Sequence, residues 1–89
     1  MVYLLIGIHY NHFCATSLNE DDLRHEAYKK GIRYPNIIPC QSKEDAMDLI
    51  NTYANENGLI APKKSEFHIQ TLIWLKKKPS KIITIDLNL

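Results

Sequence analysis

Hydrophobic and polar residues follow different periods along the chain, and these periods divide it into predicted strands and helices. Residues 2–10 (VYLLIGIHY) form a continuous apolar run that is rich in β-branched and aromatic side chains. Such a run is too short for a buried helix and predicts a central strand that is covered on parts of both faces. Residues 11–16 are polar and have no clear period, so they predict an irregular connection.

Two segments have the spacing of surface helices. The first is predicted to begin at Ser17, because Ser17 and Glu20 have the spacing of a capping box, and to end at Gly31. The second is predicted to begin at Ser42 and to stop at Gly58, and its apolar residues recur every three or four positions. Each helix therefore presents one apolar stripe to a core.

Three further segments predict strands. Residues 36–40 are bracketed by prolines, which cannot donate to a sheet ladder, so this strand is expected at a sheet edge. In residues 67–75 the apolar side chains share a face with a period of two, which favours a strand and leaves a helix as the alternative. A proline-containing turn then leads to residues 81–89, where apolar and polar residues alternate.

This order of elements, β-α-β-α-β-β, predicts one α+β domain over residues 1–89. The first crossover is expected to be right-handed and parallel, and the last two strands to form a hairpin, which gives a mixed four-stranded sheet. Two helices can cover only one face of such a sheet, so we expect a two-layer α/β sandwich with both helices on one face. The length of 89 residues suits a single modest core.

The uncovered face of that sheet is the predicted binding surface. A sheet face in water is expected to be mostly polar, and contiguous apolar side chains on it usually mark a binding site. Two outcomes would remove this surface: residues 59–66 could fold over it, or residues 67–75 could be helical. The side chains predicted to bind a partner are Tyr3, Leu5, His68, Gln70, Leu72 and Trp74.

Charge is distributed unevenly along the chain, although the formal net charge is only +1. Residues 1–57 carry five basic and eight acidic side chains, whereas residues 58–81 carry six basic and one acidic side chain. The basic end could attract a partner of opposite charge, or the lysines could simply keep a hairpin edge soluble and unpaired. The predicted basic patch consists of Lys63, Lys64, Lys76, Lys77, Lys78 and Lys81.

A protein partner is the favoured interpretation, because Trp and Tyr with aliphatic neighbours and a polar rim are typical of interface hot spots. We predict a small non-enzymatic binding module that docks on a host macromolecule, and its size and composition fit a phage or viral accessory or inhibitor protein. A homodimer through the sheet face is a subsidiary expectation. The alternative is a single-stranded nucleic-acid-binding domain, in which Tyr3 and Trp74 stack on bases and the lysines of residues 76–81 contact phosphates.

Few residues have the pattern of a chemical site. His9, His12 and Cys14 are residue types that bind zinc, but their spacing matches no standard motif, so we predict no metal and no cofactor. Cys14 beside His12 has the residue types of an activated thiolate, without an identifiable oxyanion site or orienting group. The adjacent carboxylates Asp21 and Asp22 are explained by the dipole at a helix start. We therefore predict no enzymatic activity.

The expected compartment is the cytoplasm. No apolar run reaches the roughly 18–20 residues that a membrane span needs, so no membrane partner is predicted. Residues 1–8 are apolar but have no basic flank and no small-residue cleavage site, so they do not resemble a signal peptide. The two cysteines, Cys14 and Cys40, are then expected to be reduced residues of the core.

Overall fold

The computed structural model describes residues 1–79, and the predicted strand at residues 81–89 lies outside this range. A short 3-10 turn at Lys64–Glu66 lies between the strands Leu59–Ile60 and Leu72–Trp74. In chain order the regular elements are β1 (Val2–His9), β2 (Asn11–Ser17), α1 (Glu20–Lys29), β3 (Ile37–Cys40), α2 (Lys43–Glu56), β4 (Leu59–Ile60), β5 (Leu72–Trp74) and β6 (Lys76–Lys77).

Strands β1 and β2 form a tight hairpin in place of the irregular connection predicted for residues 11–16. The two strands pair antiparallel along nearly their whole length and place Gly7 opposite Phe13. The chain reverses at Tyr10, which has a positive φ of 67°. Hairpin turns with positive φ are usually marked by glycine or asparagine, and Tyr10 lacks that signal. The residue type at position 10 therefore does not predict the turn.

The α+β class is confirmed, with an antiparallel sheet in place of the predicted mixed one. The main sheet has the strand order β3-β1-β2-β5, and its three pairs are all antiparallel. The hairpin reverses the chain before α1, so β3 returns beside β1 in the opposite direction and the expected parallel crossover does not form. Strand β3 lies at a sheet edge, as its prolines predict. Strands β4 and β6 form a separate two-stranded ladder.

The two helices cover opposite faces of the sheet, which corrects the expectation that both lie on one face. Successive residues of β1 point into different cores. Leu4 packs in one core with Ile50 of α2, and Leu5 packs in the other with Leu23 of α1. The physical reason is the continuous apolar run of β1: both of its faces need cover, and one helix on each face supplies it.

The helix starts follow local capping chemistry. Helix α2 begins after Ser42, whose Oγ accepts a hydrogen bond from the Asp45 N–H at 3.2 Å, as predicted. Helix α1 begins after Asn19, not Ser17. Ser17 ends β2 and instead donates a hydrogen bond to Asp22 Oδ2 at 3.0 Å. Neither helix of residues 1–79 has the length and apolar character that crossing a bilayer requires.

The segment of residues 67–75 is extended only at Leu72–Trp74, and the helical alternative does not occur there. Phe67 and Leu75 are buried in the α2-side core together with Leu59, so residues 59–67 cover that face beside α2. Gln70 has a positive φ of 71° and interrupts the strand. The predicted alternation therefore places Phe67 and Leu75 correctly on the core side. The strand itself is shorter than predicted.

Candidate functional site

The six side chains predicted to bind a partner do not share one open face. Leu5 is fully buried in the α1-side core, and Tyr3 and Leu72 are half-buried against the same core. This result corrects the expectation of an uncovered sheet face, because α1 lies over the centre of it. His68 and Gln70 are exposed in the loop before β5.

Trp74 is the predicted binding residue that the structure leaves open to solvent at the sheet edge. It is the last residue of β5, and it retains 45% of its exposure. Its ring packs on that of Phe13, its cross-strand neighbour, with centroids 5.5 Å apart and planes tilted by 59°. The indole is therefore fixed on one side and free to contact a partner on the other.

Two depressions adjoin Trp74 at this end of the sheet. The larger, of about 440 Å³, lies between the hairpin tip and β6, and the smaller, of about 300 Å³, lies between β4 and β5. Trp74, Leu75 and Lys76 line both, so the depressions are continuous parts of one surface. We call this region the Trp74 surface and define it by Tyr10, Ile60, Lys63, Trp74, Lys76 and Lys77.

Two further large apolar side chains, besides Trp74, are exposed on the Trp74 surface. Tyr10 is 93% exposed and Ile60 is 45% exposed, the same fraction as Trp74. Sequence reasoning misses Tyr10 and Ile60, since Tyr10 is counted as the end of a buried strand and Ile60 falls in an unassigned connection. No local signal marks either residue as exposed; the hairpin turn and the short β4–β6 ladder place them there.

The predicted basic patch meets this same surface. Pairing of β4 with β6 places Lys76 opposite Ile60, and Lys63 and Lys76 line the smaller depression together. Lys63, Lys64 and Lys76 to Lys78 are all exposed, whereas Lys81 lies outside the described residues. Long-range pairing thus brings together two lysine groups that are separated in sequence.

The residues considered for metal binding or nucleophilic chemistry are not brought together. In the part of the chain up to residue 79, no group of three or more His, Cys, Asp or Glu side chains is placed to hold a metal ion. His12 Nδ1 lies 2.6 Å from the Tyr53 hydroxyl, in a hydrogen bond across the core edge. Cys14 points into the α2-side core, and burial raises the pKa of its thiol to about 12. Such a thiol is protonated and inaccessible, and Cys40 is likewise free and buried.

A third depression, of about 280 Å³, lies between α1 and the strands β2 and β5. It includes Gln70 and Leu72 from the predicted set, together with Ser17, Asp22 and Glu26. Three of its polar side chains already have partners within the protein: Ser17 donates a hydrogen bond to Asp22, and Glu26 forms ion pairs with Lys29 and Lys30. The Trp74 surface is the stronger candidate, because it joins exposed apolar groups to charge.

No family model matches this chain, and neither a curated protein nor a solved structure matches it.

Proposed function

We propose that the chain is a non-enzymatic binding module that docks on a protein partner through the Trp74 surface. The observation that carries the proposal is the state of Trp74, which is anchored by Phe13, 45% exposed and bordered by two depressions. Interface hot spots are enriched in tryptophan, and an aromatic group that is already ordered loses little entropy on binding. An accessory or inhibitor role, in the cytoplasm of a phage- or virus-infected cell, is the wider setting that we propose for this docking.

The indole is expected to supply the largest single part of the binding free energy. A tryptophan buries about 150–250 Å², so covering the exposed part of Trp74 removes about 100 Å² from water. At about 25 cal/mol per Å², this burial contributes about 2–3 kcal/mol. An exposed lysine paired with an acidic group contributes about 0.2–1 kcal/mol, so each rim lysine matters less than Trp74.

Single-stranded nucleic acid is the second candidate partner. The observation that favours it is the larger depression, where Tyr10 and Trp74 stand beside Lys76 and Lys77. Bases that stack on aromatic side chains gain about 1–3 kcal/mol each, and lysines contact the phosphates. Binding of this kind weakens steeply as the salt concentration rises, because it releases counterions.

The test compares the proteins that are captured from a host-cell lysate by three immobilised baits: wild type, Trp74→Ala and Tyr34→Ala. Tyr34 is a matched control, because it is an aromatic residue with 91% exposure in the loop before β3, the opposite edge strand of the sheet. Captured proteins should be retained by the wild type and by Tyr34→Ala and lost from Trp74→Ala. Nuclease treatment of the lysate should leave this retention unchanged.

Each contrary outcome has a definite meaning. If Trp74→Ala still retains the captured proteins, the proposed surface is refuted. If nuclease treatment removes the captured proteins, a protein partner is refuted and nucleic acid becomes the favoured partner. Because Trp74 packs on Phe13, the thermal unfolding of Trp74→Ala is measured alongside, and Trp74→Phe serves as a milder variant. If the partner is a second copy of the chain, light scattering should give a doubled mass for the wild type and a monomer for Trp74→Ala.

A further inference from the structure

We infer that the partner of the Trp74 surface is an acidic protein segment that places one large apolar side chain in the smaller depression. The inference rests on the proposed function and adds the chemical class of the partner. It depends on three features of that depression: the charge at its rim, the apolar character of its floor and its size.

The rim of the smaller depression is basic and its lysines are available. Lys63 and Lys76 line it, and Glu66 is the one carboxylate among the described residues that line either depression beside Trp74. The Glu66 carboxylate already accepts a hydrogen bond from the Lys63 backbone N–H at 2.9 Å. The ion pairs found within residues 1–79 all lie between residues 20 and 30, so they do not involve these lysines. Within residues 1–79, an acidic partner therefore meets positive charge that no ion pair compensates.

The floor of the depression is apolar. Ile60, Ala61, Pro62 and Ile73 surround the space beside Trp74. Its volume of about 300 Å³ is at the lower end of the range of about 300–1,000 Å³ for small-molecule pockets. The space suits one large aliphatic or aromatic side chain better than a cofactor. An apolar anchor within a charged ring is the usual anatomy of a protein interface.

The charge distribution favours a compact acidic segment over a nucleic acid. A nucleic acid carries a negative charge at every nucleotide and continues past the basic patch in both directions. The rest of the chain is unsuited to it, because residues 1–57 carry eight acidic and five basic side chains. A short acidic segment contacts the lysines and ends before it meets this negative charge. Charge complementarity of this kind selects the correct partner and speeds the encounter.

The experiment selects a displayed library of short random peptides on the 89-residue wild-type chain, with counter-selection against Trp74→Ala. The selected peptides should be enriched in Asp and Glu around one large apolar residue, compared with the unselected library. Their affinity is then measured by the fluorescence of Trp74, which is the single tryptophan of the chain. A thymidine oligonucleotide is titrated in the same way.

Neutralising the rim should weaken the selected peptides. The double variant Lys63→Gln with Lys76→Gln, which changes the two lysines that line the smaller depression, should lower their affinity about three- to fivefold, as expected for two exposed charge pairs. The matched control is Lys29→Gln with Arg33→Gln. It changes two exposed basic residues at and just after the C-terminal end of α1, neither of which lines a depression beside Trp74, so it should leave the affinity unchanged. Replacing the apolar residue of the peptide by serine should abolish binding.

The alternatives overturn the inference in distinguishable ways. Selected peptides that need Trp74 but are neutral or basic leave the proposed function standing and refute the acidic partner. Failure to select any peptide, or tighter binding of the oligonucleotide than of the peptides, refutes it as well. Peptides that bind Trp74→Ala as well as the wild type refute both proposals.

Discussion

Gly7 leaves room for the ring of Phe13, so we predict that Gly7→Ala destabilises the fold. The two residues are cross-strand neighbours in the β1–β2 hairpin. A Cβ atom on residue 7 would lie 2.9 Å from Cε1 and Cζ of Phe13 and 3.0 Å from Cδ1 of Ile32. The ring cannot move away freely, because it is fully buried, its centroid is 5.4 Å from the Lys30 ammonium, and it packs against Trp74.

Two effects of opposite sign set the size of the change. Alanine restricts the unfolded chain more than glycine does, which stabilises the folded state by about 0.4–1 kcal/mol. Overpacking a close-packed core destabilises it by about 1–3 kcal/mol. The 2.9 Å approach is well inside the optimal carbon–carbon separation of about 3.5–4.0 Å, so the second effect dominates. We expect a net loss of about 1–2 kcal/mol, which lowers Tm by about 5–15 °C in a domain of this size.

The assay is a double-mutant cycle followed by thermal and urea unfolding. Phe13→Leu removes the outer atoms of the ring, so the cost of Gly7→Ala should shrink by about 1 kcal/mol in that background. Gly31→Ala is the control: no atom lies within 4 Å of its added Cβ, and its cost comes from a φ of 75°. That cost should be the same with either residue at position 13. A Gly7→Ala protein as stable as the wild type, or an unchanged cost beside Leu, would refute this account of the packing.

Two further predictions concern residues away from the Trp74 surface. Ser42→Ala removes the hydroxyl that accepts from the Asp45 N–H at the start of α2, and should lower the free energy of unfolding by about 1 kcal/mol; an unchanged urea midpoint would contradict the cap. Cys14 should react with an alkylating reagent only as fast as the protein opens, because burial raises the pKa of its thiol to about 12. Mass spectrometry that finds rapid labelling of Cys14 under native conditions would disprove this.

Local signals were sufficient for some elements of the fold. Helix α2 shows this best: Ala46, Ile50 and Ala54 recur at helical spacing and are all buried, and Ser42 caps the helix as its sequence indicates. These features depend on residues within one or two turns of each other. The edge position of β3 is equally local, because its prolines restrict the pairing of that strand alone.

The topology depends on long-range strand pairing and on which sheet face each helix covers, and no local sequence pattern predicts either. Tyr10 forms the hairpin turn without the residues that normally signal one, so a strand and a loop replaced a hairpin in the predicted order. That error also changed which face each helix covers, and it left Leu5 on a predicted binding surface although α1 buries it. The alternation within residues 72–75 was still correct, since Leu75 is buried and Trp74 is exposed. Of the six residues that define the Trp74 surface, Trp74 and the three lysines were therefore named from the sequence, whereas Tyr10 and Ile60 were not.

The exposure of Trp74 follows from where the helices lie relative to the sheet. Helix α1 packs on β1, β2 and β3, and α2 packs on β1, β3 and β4, so helical cover is centred on the side of the sheet that ends in β3. Strand β5 lies at the opposite edge, where Phe13 of the neighbouring strand supports one side of the indole. A more central strand would have buried Trp74 completely, and an indole without Phe13 would have to be ordered by its partner at an entropic cost. Phe13 therefore links the stability of the hairpin to the order of the indole on the Trp74 surface, because the same ring fills the space above Gly7 and holds the indole in place.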